Sequence, residues 1–162
     1  MPISLAVSFS PCLSIRMLII STTDIIECMA NSDNVIRAGL TPKLRDIPNL
    51  VNTLTYTAAP ASRHVVKPLP FSASSASTLY DPPITEFSVV TTVLSPGQTE
   101  RHRAIDGPSI AIVVGGKGKI QWDNDSLDMV RGEVVFIGAE SAIDLVAAGE
   151  ETLEIYRAFV EA

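Results

Sequence analysis

The chain has 162 residues, of which 46% are hydrophobic and 19% charged, a composition typical of a globular protein with an apolar core. Its net charge of −6 at pH 7 predicts repulsion from nucleic acid phosphates and acidic membranes, so we expect no nucleic-acid or membrane partner. A small anionic ligand stays compatible with this charge where basic groups gather locally. Cys12 and Cys28 are too few for a disulfide framework and lack zinc-type spacing, which favours a reducing compartment.

Residues 1–23 form an atypical N-terminal segment, apolar and rich in serine, with Arg16 as its only base. A secretory signal carries its basic residues before the apolar run, and a membrane span needs about 20 apolar residues. Here Pro11 and Ser14 interrupt the run. We expect a partly buried strand or the product of an imperfect gene model. A secreted protein with a cleaved signal is a third and less favoured alternative.

Two short strands are predicted at the start of the next segment, residues 24–56. The apolar residues 24–30 are bounded by turn formers and predict a strand. Residues 31–34, NSDN, predict a turn because their side chains hydrogen-bond nearby backbone. Residues 35–39 predict a second strand that ends at glycine.

A helix is predicted at the end of this segment. Asp46 is suited to cap it, and Pro48 is tolerated in a first turn. The apolar positions of the predicted helix recur at helical spacing: Ile47, Leu50, Val51 and Leu54.

Residues 57–83 predict a connector. They contain five of the chain's 11 prolines and a patch of serine and alanine, a composition that favours an extended crossing segment.

Residues 84–162 predict a domain built from β-strands. Six apolar or alternating runs are separated by Gly-, Asn- and Asp-containing turns: 86–94, 109–116, 118–123, 133–138, 142–148 and 152–160. Short strands without intervening helices favour a sandwich or barrel, here a jelly roll. The predicted fold class is therefore mainly β, with one helix.

Charged residues concentrate in residues 27–43, ECMANSDNVIRAGLTPK. In an extended chain Glu27, Asp33 and Arg37 share a face, although the intervening turn can break this register. Such a face supplies carboxylates for proton transfer and a cation for a developing oxyanion. The alternative is a solvated hairpin whose surface ion pairs contribute little.

This segment resembles the signature of type I mannose-6-phosphate isomerases. The similarity continues through DIPNL, YDPP and RGEVVFIGA, and covers about residues 24–162. The resemblance implies a cytoplasmic aldose–ketose isomerase that interconverts mannose 6-phosphate and fructose 6-phosphate, on the route to GDP-mannose. It also implies a zinc site in a cupin-type fold, so that residues 24–56 would be a β segment left from a second, catalytic cupin domain.

The resemblance also implies roles for individual residues. Arg37 matches the family's active-site arginine, which is expected to stabilise an enediolate-like intermediate. Asp33 and Glu27 match acidic positions that can handle protons, with their division of labour left open. Lys43 closes the motif and is expected to attract the sugar phosphate.

Departures from the family pattern concern the metal. The family signature begins with H-A-Y-x-x-G, whose His binds zinc, and Leu18 stands at that position here. His64 and His102 are expected to be solvent-exposed or hydrogen-bonded rather than metal ligands. We therefore expect a truncated member that binds no zinc and is inactive by itself. The alternative is a non-catalytic cupin-like module for sugar binding or protein interaction.

Overall fold

A computed structural model of the chain describes residues 4–7, 25–30, 36–37, 42–54 and 58–161. The chain divides into two compact units, residues 1–64 and residues 65–162. The domain boundaries predicted after residues 23, 56 and 83 stay predictions.

The first unit contains a pair of parallel strands, β1 (Ser4–Val7) and β2 (Ile25–Cys28). Strand β2 confirms the strand predicted at 24–30. The strand predicted at 35–39 is absent from its two described residues, Ile36 and Arg37, which lie outside regular structure. Apolar residues form a strand only where a neighbouring backbone takes their hydrogen bonds, and the described partner of β2 is β1.

Helix α1 (Ile47–Thr53) begins where the sequence predicted. Asp46 is its N-cap: the backbone N–H of Asn49 donates to Asp46 Oδ1 at 3.2 Å. Of the apolar residues at helical spacing, Leu50 is buried, whereas Ile47 and Val51 are about half exposed, at 48% and 49%. A seven-residue helix has only about two turns, and Leu50 is its buried residue.

Residues 57–83 contain more regular structure than the predicted connector. A 3₁₀ helix spans Ala61–His64, and two strands follow, β3 (Leu69–Pro70) and β4 (Ser77–Tyr80). Strand β4 pairs with β5 (Ser88–Leu94) and β3 pairs with β4, so β3 is the edge of the sheet. Proline suits an edge strand because its missing N–H removes no hydrogen bond from the sheet interior. These strands were not predicted because the high proline content of the segment indicated a connector.

The six strands predicted in residues 84–162 are confirmed. They are β5 and then β7 (Ser109–Gly115), β8 (Lys117–Trp122), β10 (Val134–Ile137), β11 (Ile143–Ala148) and β12 (Leu153–Phe159). Two further strands were not predicted from the sequence, β6 (Thr99–His102) and β9 (Asp125–Val130). Both are rich in polar residues: the buried positions of β6 are Glu100 and His102, and β9 is an exposed edge strand with Met129 as its buried residue.

The strands of the second unit form two antiparallel sheets. One has the order β10-β7-β12-β5-β4-β3 and the other the order β6-β11-β8-β9. Long-range antiparallel pairs such as β5–β12 and β6–β11 connect segments far apart in sequence. The predicted mainly β jelly-roll class is confirmed.

The core of this unit lies between the inward faces of the two sheets. Its largest cluster joins buried side chains of both: Leu94, Ala111, Val113, Ile120, Met129, Ile137, Ile143, Leu145, Ala147, Leu153 and Ile155. Gly118 permits close packing here, because a Cβ at this position would lie 2.5 Å from Leu153 Cδ2 and 2.5 Å from the Val146 carbonyl oxygen.

Candidate functional site

The predicted catalytic wall lies in the first unit. Glu27 is an exposed residue of β2, Arg37 is half-buried in irregular structure, and Lys43 is exposed just before the helix. Asp33 lies outside the described residues. The assignment of these four residues to one site stays a prediction.

A second polar constellation lies inside the jelly roll, and we call it the His102 cluster. It consists of buried side chains from five strands, β4 to β7 and β12: Ser77, Thr92, His102, Ser109 and Arg157. Alternation places each of them on the inward face of its strand. These positions are therefore surrounded by the core rather than by solvent.

His102 has no exposed surface and is hydrogen-bonded at Nε2. This nitrogen lies 3.1 Å from Ser77 Oγ and 3.0 Å from Thr92 Oγ1, and Nδ1 lies 3.4 Å from Arg157 Nη1. Because a guanidinium only donates, we assign Nδ1 as the acceptor and Nε2 as the protonated nitrogen. The predicted hydrogen-bonded histidine is thus confirmed for His102, and it is fully buried.

Arg157 is only 1% exposed, which is unusual for an arginine. Its Nε donates to Ser109 Oγ at 2.9 Å, whereas its Nη2 has no hydrogen-bond partner among the described residues. Within the same residues no carboxylate forms a salt bridge with it. Burial, with a smaller contribution from the charge of Arg103, lowers the pKa of Arg157 to about 10.

The electrostatics of the cluster keep His102 neutral at pH 7. Burial and, to a smaller extent, the Arg157 charge lower the pKa of His102, the Glu100 charge opposes them, and the net result is a pKa of about 4. An imidazolium beside a buried guanidinium would place two cations in the core. Neutral imidazole is therefore the form compatible with this packing.

Glu100 lies beside the cluster and is held by serine hydroxyls. Ser72 donates to its Oε1, and Ser74 donates to Oε2 at 2.5 Å. Burial alone would raise the pKa of Glu100, but hydrogen bonds from Ser72, Ser74 and Ser77 and the nearby His102 bring it below the usual value. The carboxylate is thus stabilised in its charged form.

The His102 cluster does not fit a zinc ion. Both ring nitrogens of His102 face hydrogen-bond partners, and the partner of Nδ1 is a guanidinium, whose charge would repel a metal cation. Across the described part of the chain, no group of three or more His, Cys, Asp or Glu side chains could hold a metal ion.

Arg157 is not among the residues predicted from the sequence, although its position in β12 carries a signal. In β12 the residues Leu153, Ile155, Arg157 and Phe159 alternate with the outward positions, so a charged side chain occupies a face that is otherwise apolar. A charged residue on an otherwise apolar strand face indicates a buried polar group with a structural or binding role.

A separate apolar cleft of about 300 Å³ opens among β8, β9 and β10. Its lining includes Trp122, Leu127 and Phe136, with Ile137 and Ile143 also contributing. Ile137 pairs with Ser109 across the sheet, and Ile143 pairs with His102. The cleft therefore borders the strands that carry the buried cluster.

Comparison with known proteins identifies the family. Residues 77–125, which include four of the strands around the cluster, match the model of the C-terminal region of type I phosphomannose isomerases. The chain carries the C-terminal domain of a type I phosphomannose isomerase. The resemblance and the cupin-type fold drawn from the sequence are therefore confirmed.

Curated relatives extend the match to most of the chain. The mannose-6-phosphate isomerase of Cryptococcus neoformans is 51% identical over 140 residues, covering 86% of this chain and 32% of the relative. The Saccharomyces cerevisiae enzyme of the same name is 47% identical over 142 residues, covering 85% of this chain and 33% of the relative. The chain thus spans about a third of the length of these phosphomannose isomerases.

Solved structures agree with this assignment. The Salmonella typhimurium mannose 6-phosphate isomerase bound to fructose 6-phosphate and zinc is 32% identical and superposes with a TM-score of 0.66, covering 83% of this chain and 32% of that one. A single-residue variant of the same bacterial enzyme gives a TM-score of 0.68 at 30% identity, with 82% of this chain and 32% of that one covered.

In the part of the chain that the structure describes, no helix is long and apolar enough to cross a membrane.

Proposed function

We propose that this chain belongs to an aldose–ketose isomerase that interconverts mannose 6-phosphate and fructose 6-phosphate. The observation that carries the proposal is the run of curated mannose-6-phosphate isomerases that match 85–86% of the chain at 42–51% identity. The bacterial structural relative contains fructose 6-phosphate and zinc, which gives the substrate class a chemical precedent.

The chemistry assigned to this chain concerns charge and proton transfer. After the sugar ring opens, a base moves a proton between C2 and C1 through a cis-enediol. The Arg37 guanidinium is proposed to offset the enediolate charge, and Glu27 or Asp33 to carry the proton. Lys43, exposed in the structure, is proposed to attract the phosphate.

The first experiment is an activity assay of the 162-residue chain with fructose 6-phosphate and added zinc. We expect no turnover, since the position of the family's first zinc-binding histidine is Leu18 in this sequence. Turnover above the rate with zinc chelated would show that the chain assembles a complete site and would overturn the proposed inactivity.

The second experiment measures fructose 6-phosphate binding by calorimetry and compares Arg37→Ala with a matched control, Arg45→Ala. Arg45 is an exposed arginine of the same unit that lies outside the proposed site set. We expect measurable binding that Arg37→Ala weakens at least tenfold and Arg45→Ala leaves unchanged. Equal effects of the two substitutions would contradict a specific role for Arg37.

A non-catalytic cupin-like sugar-binding or interaction module is the second candidate. The observation in its favour is the His102 cluster, where a cupin-type interior holds a buried arginine in place of a metal-binding arrangement. Absence of sugar-phosphate binding by the folded chain would favour an interaction module over a remnant of the catalytic site.

We also propose a cytoplasmic location, in keeping with a sugar-phosphate substrate and with two cysteines, too few for a disulfide framework. Cell fractionation with an antibody to the chain tests this, and recovery in a secreted fraction would contradict it.

A further inference from the structure

The free edge of strand β10 is the least protected sheet edge of the second unit. An edge strand presents unpaired backbone N–H and C=O groups to other chains, and proteins guard such edges with proline or charged residues. The edge strands of the two sheets are β3, β6, β9 and β10. Strand β3 carries Pro70, β6 carries Arg101 and β9 carries Asp128. Strand β10, with the sequence VVFI, contains neither proline nor a charge.

Strand β10 also turns apolar side chains toward solvent. Phe136 is 70% exposed and Val134 is 61% exposed, and Ile110, which pairs with Phe136 across the sheet, is 53% exposed. Phe136 lines the apolar cleft together with Trp122 and Leu127, so the exposed side chains form one continuous surface. We call this surface the β10 patch: Ile110, Trp122, Leu127, Val134 and Phe136. Contiguous apolar patches of this kind mark interaction sites in soluble proteins.

The area of the β10 patch fits a weak dimer. Phe136 alone exposes on the order of 150 Å², and the whole patch exposes roughly 500 Å² of apolar surface. Two copies packed on this surface would bury about 1,000 Å², near the lower limit of specific protein interfaces. We therefore expect a dissociation constant in the micromolar range. Such a dimer dissociates on dilution, so substitutions in the patch leave the stability of the dilute monomer unchanged.

Charges at the two ends of β10 favour a second copy of this chain as the partner. Exposed Arg131 precedes the strand and exposed Glu140 follows it, and neither forms a salt bridge with another described residue. Glu133, also before the strand, is engaged because its carboxylate accepts from the Val130 N–H. When two identical strands pair antiparallel, Arg131 of each copy comes to the end of the pair where Glu140 of the other copy lies. This arrangement has two-fold symmetry and closes as a dimer.

We propose that the chain forms a symmetric dimer in which the β10 strands of two copies pair antiparallel and join their six-stranded sheets. The β10 patches of the two copies pack against each other, and Arg131 of each copy pairs with Glu140 of the other. All of these residues belong to the second unit, so the dimer does not depend on the isomerase assignment.

Sedimentation velocity of the complete 162-residue chain, from submicromolar to submillimolar concentration, tests the dimer. We expect the mass to rise from 17.3 kDa toward twice that value. Phe136→Lys places a charge on the edge and should raise the dissociation constant at least tenfold. Val93→Lys is the matched control, because Val93 is 46% exposed on β5, an interior strand of the same sheet. A monomer at all concentrations, or equal weakening by both substitutions, would overturn the proposal.

Hydrogen exchange of the unaltered chain tests the strand pairing, and it protects the experiment if Phe136→Lys does not fold. The N–H groups of residues 134–137 point alternately toward β7 and toward the free edge. Those at the free edge should exchange several-fold more slowly at high protein concentration than at low, whereas the amides of β5 should not change. Dimerisation without this protection would contradict pairing through β10.

Charge reversal tests the antiparallel orientation. Arg131→Glu and Glu140→Arg should each weaken dimerisation several-fold, since each places like charges together at both ends of the strand pair. The double variant restores opposite charges and should dimerise like the unaltered chain. A double variant as weak as the single variants would show that these two residues do not meet across the interface and would overturn the proposed arrangement.

Discussion

The two units of this chain differ in where their informative residues lie. In the first unit Glu27, Arg37 and Lys43 fall within one contiguous, recognisable segment, and in the structure they are exposed or half-buried. In the second unit His102 and Arg157 are 55 residues apart and fully or almost fully buried. The residues of the first unit can be found as a motif in the sequence. The His102 cluster forms only when the fold places strands β6 and β12 close together.

A recognisable sequence motif and a strong constraint on the fold are therefore separate properties of a group of residues. A contiguous signature marks the family because its residues are adjacent in sequence. A buried polar cluster constrains the fold because every member must be hydrogen-bonded once water is excluded. Substitutions in the two regions should therefore have different consequences, in substrate binding for the first and in stability for the second.

The largest expected effect is on the core of the second unit. Leu153→Ala removes a side chain with no exposed surface from the largest apolar cluster and should lower the free energy of unfolding by about 2–5 kcal/mol. Val134→Ala, at a position 61% exposed, is the control and should change it by less than about 0.5 kcal/mol. Urea unfolding followed by the fluorescence of Trp122 measures both. Similar values would contradict a well-packed jelly-roll core.

The next effect is a dependence of stability on pH that arises from His102. Its folded pKa of about 4 lies below the unfolded value of 6.5, so the unfolded state binds more protons between these values. Stability should be complete above pH 6.5 and fall by up to about 3 kcal/mol as pH decreases toward 4. Urea titrations at successive pH values measure this slope.

His102→Gln separates this effect from that of the neighbouring carboxylate. Glutamine can keep a hydrogen bond without titrating, so the slope between pH 6.5 and 4 should largely disappear. Glu100, whose pKa is lowered, contributes stability that is lost only as pH falls below its ordinary value of 4.5. The Arg157 charge does not titrate in this range, because its pKa of about 10 lies well above it. An unchanged slope in His102→Gln would show that other groups cause it.

The smallest expected effect is local and lies in the first unit. Asp46→Ala removes the side chain that caps helix α1 and should destabilise the helix by about 1 kcal/mol. Asp46→Asn keeps an acceptor for the Asn49 N–H and is the matched control. Hydrogen exchange of residues 47–53 reports the change. Equal exchange in both variants would argue against a stabilising cap.

The sequence predicted those elements whose signal is local. The cap at Asp46 and six strands of the jelly roll follow from residue chemistry and alternation, and the structure contains them. Strands β3 and β4 were obscured by proline, and β6 and β9 by polar residues, because each owes its strand conformation to hydrogen bonds with a neighbour. The site assigned to Arg37 and its acidic neighbours stays a prediction from the motif.

The family, the mainly β class and the helix cap follow from the amino-acid sequence, because these depend on adjacent residues and short-range periodicity. The folded structure was needed to show that His102 is buried, that its ring faces Arg157, and that one guanidinium nitrogen lacks a partner among the described residues. The physical reason is that burial and hydrogen-bond satisfaction depend on which distant strands become neighbours, and residue spacing along the chain does not specify this.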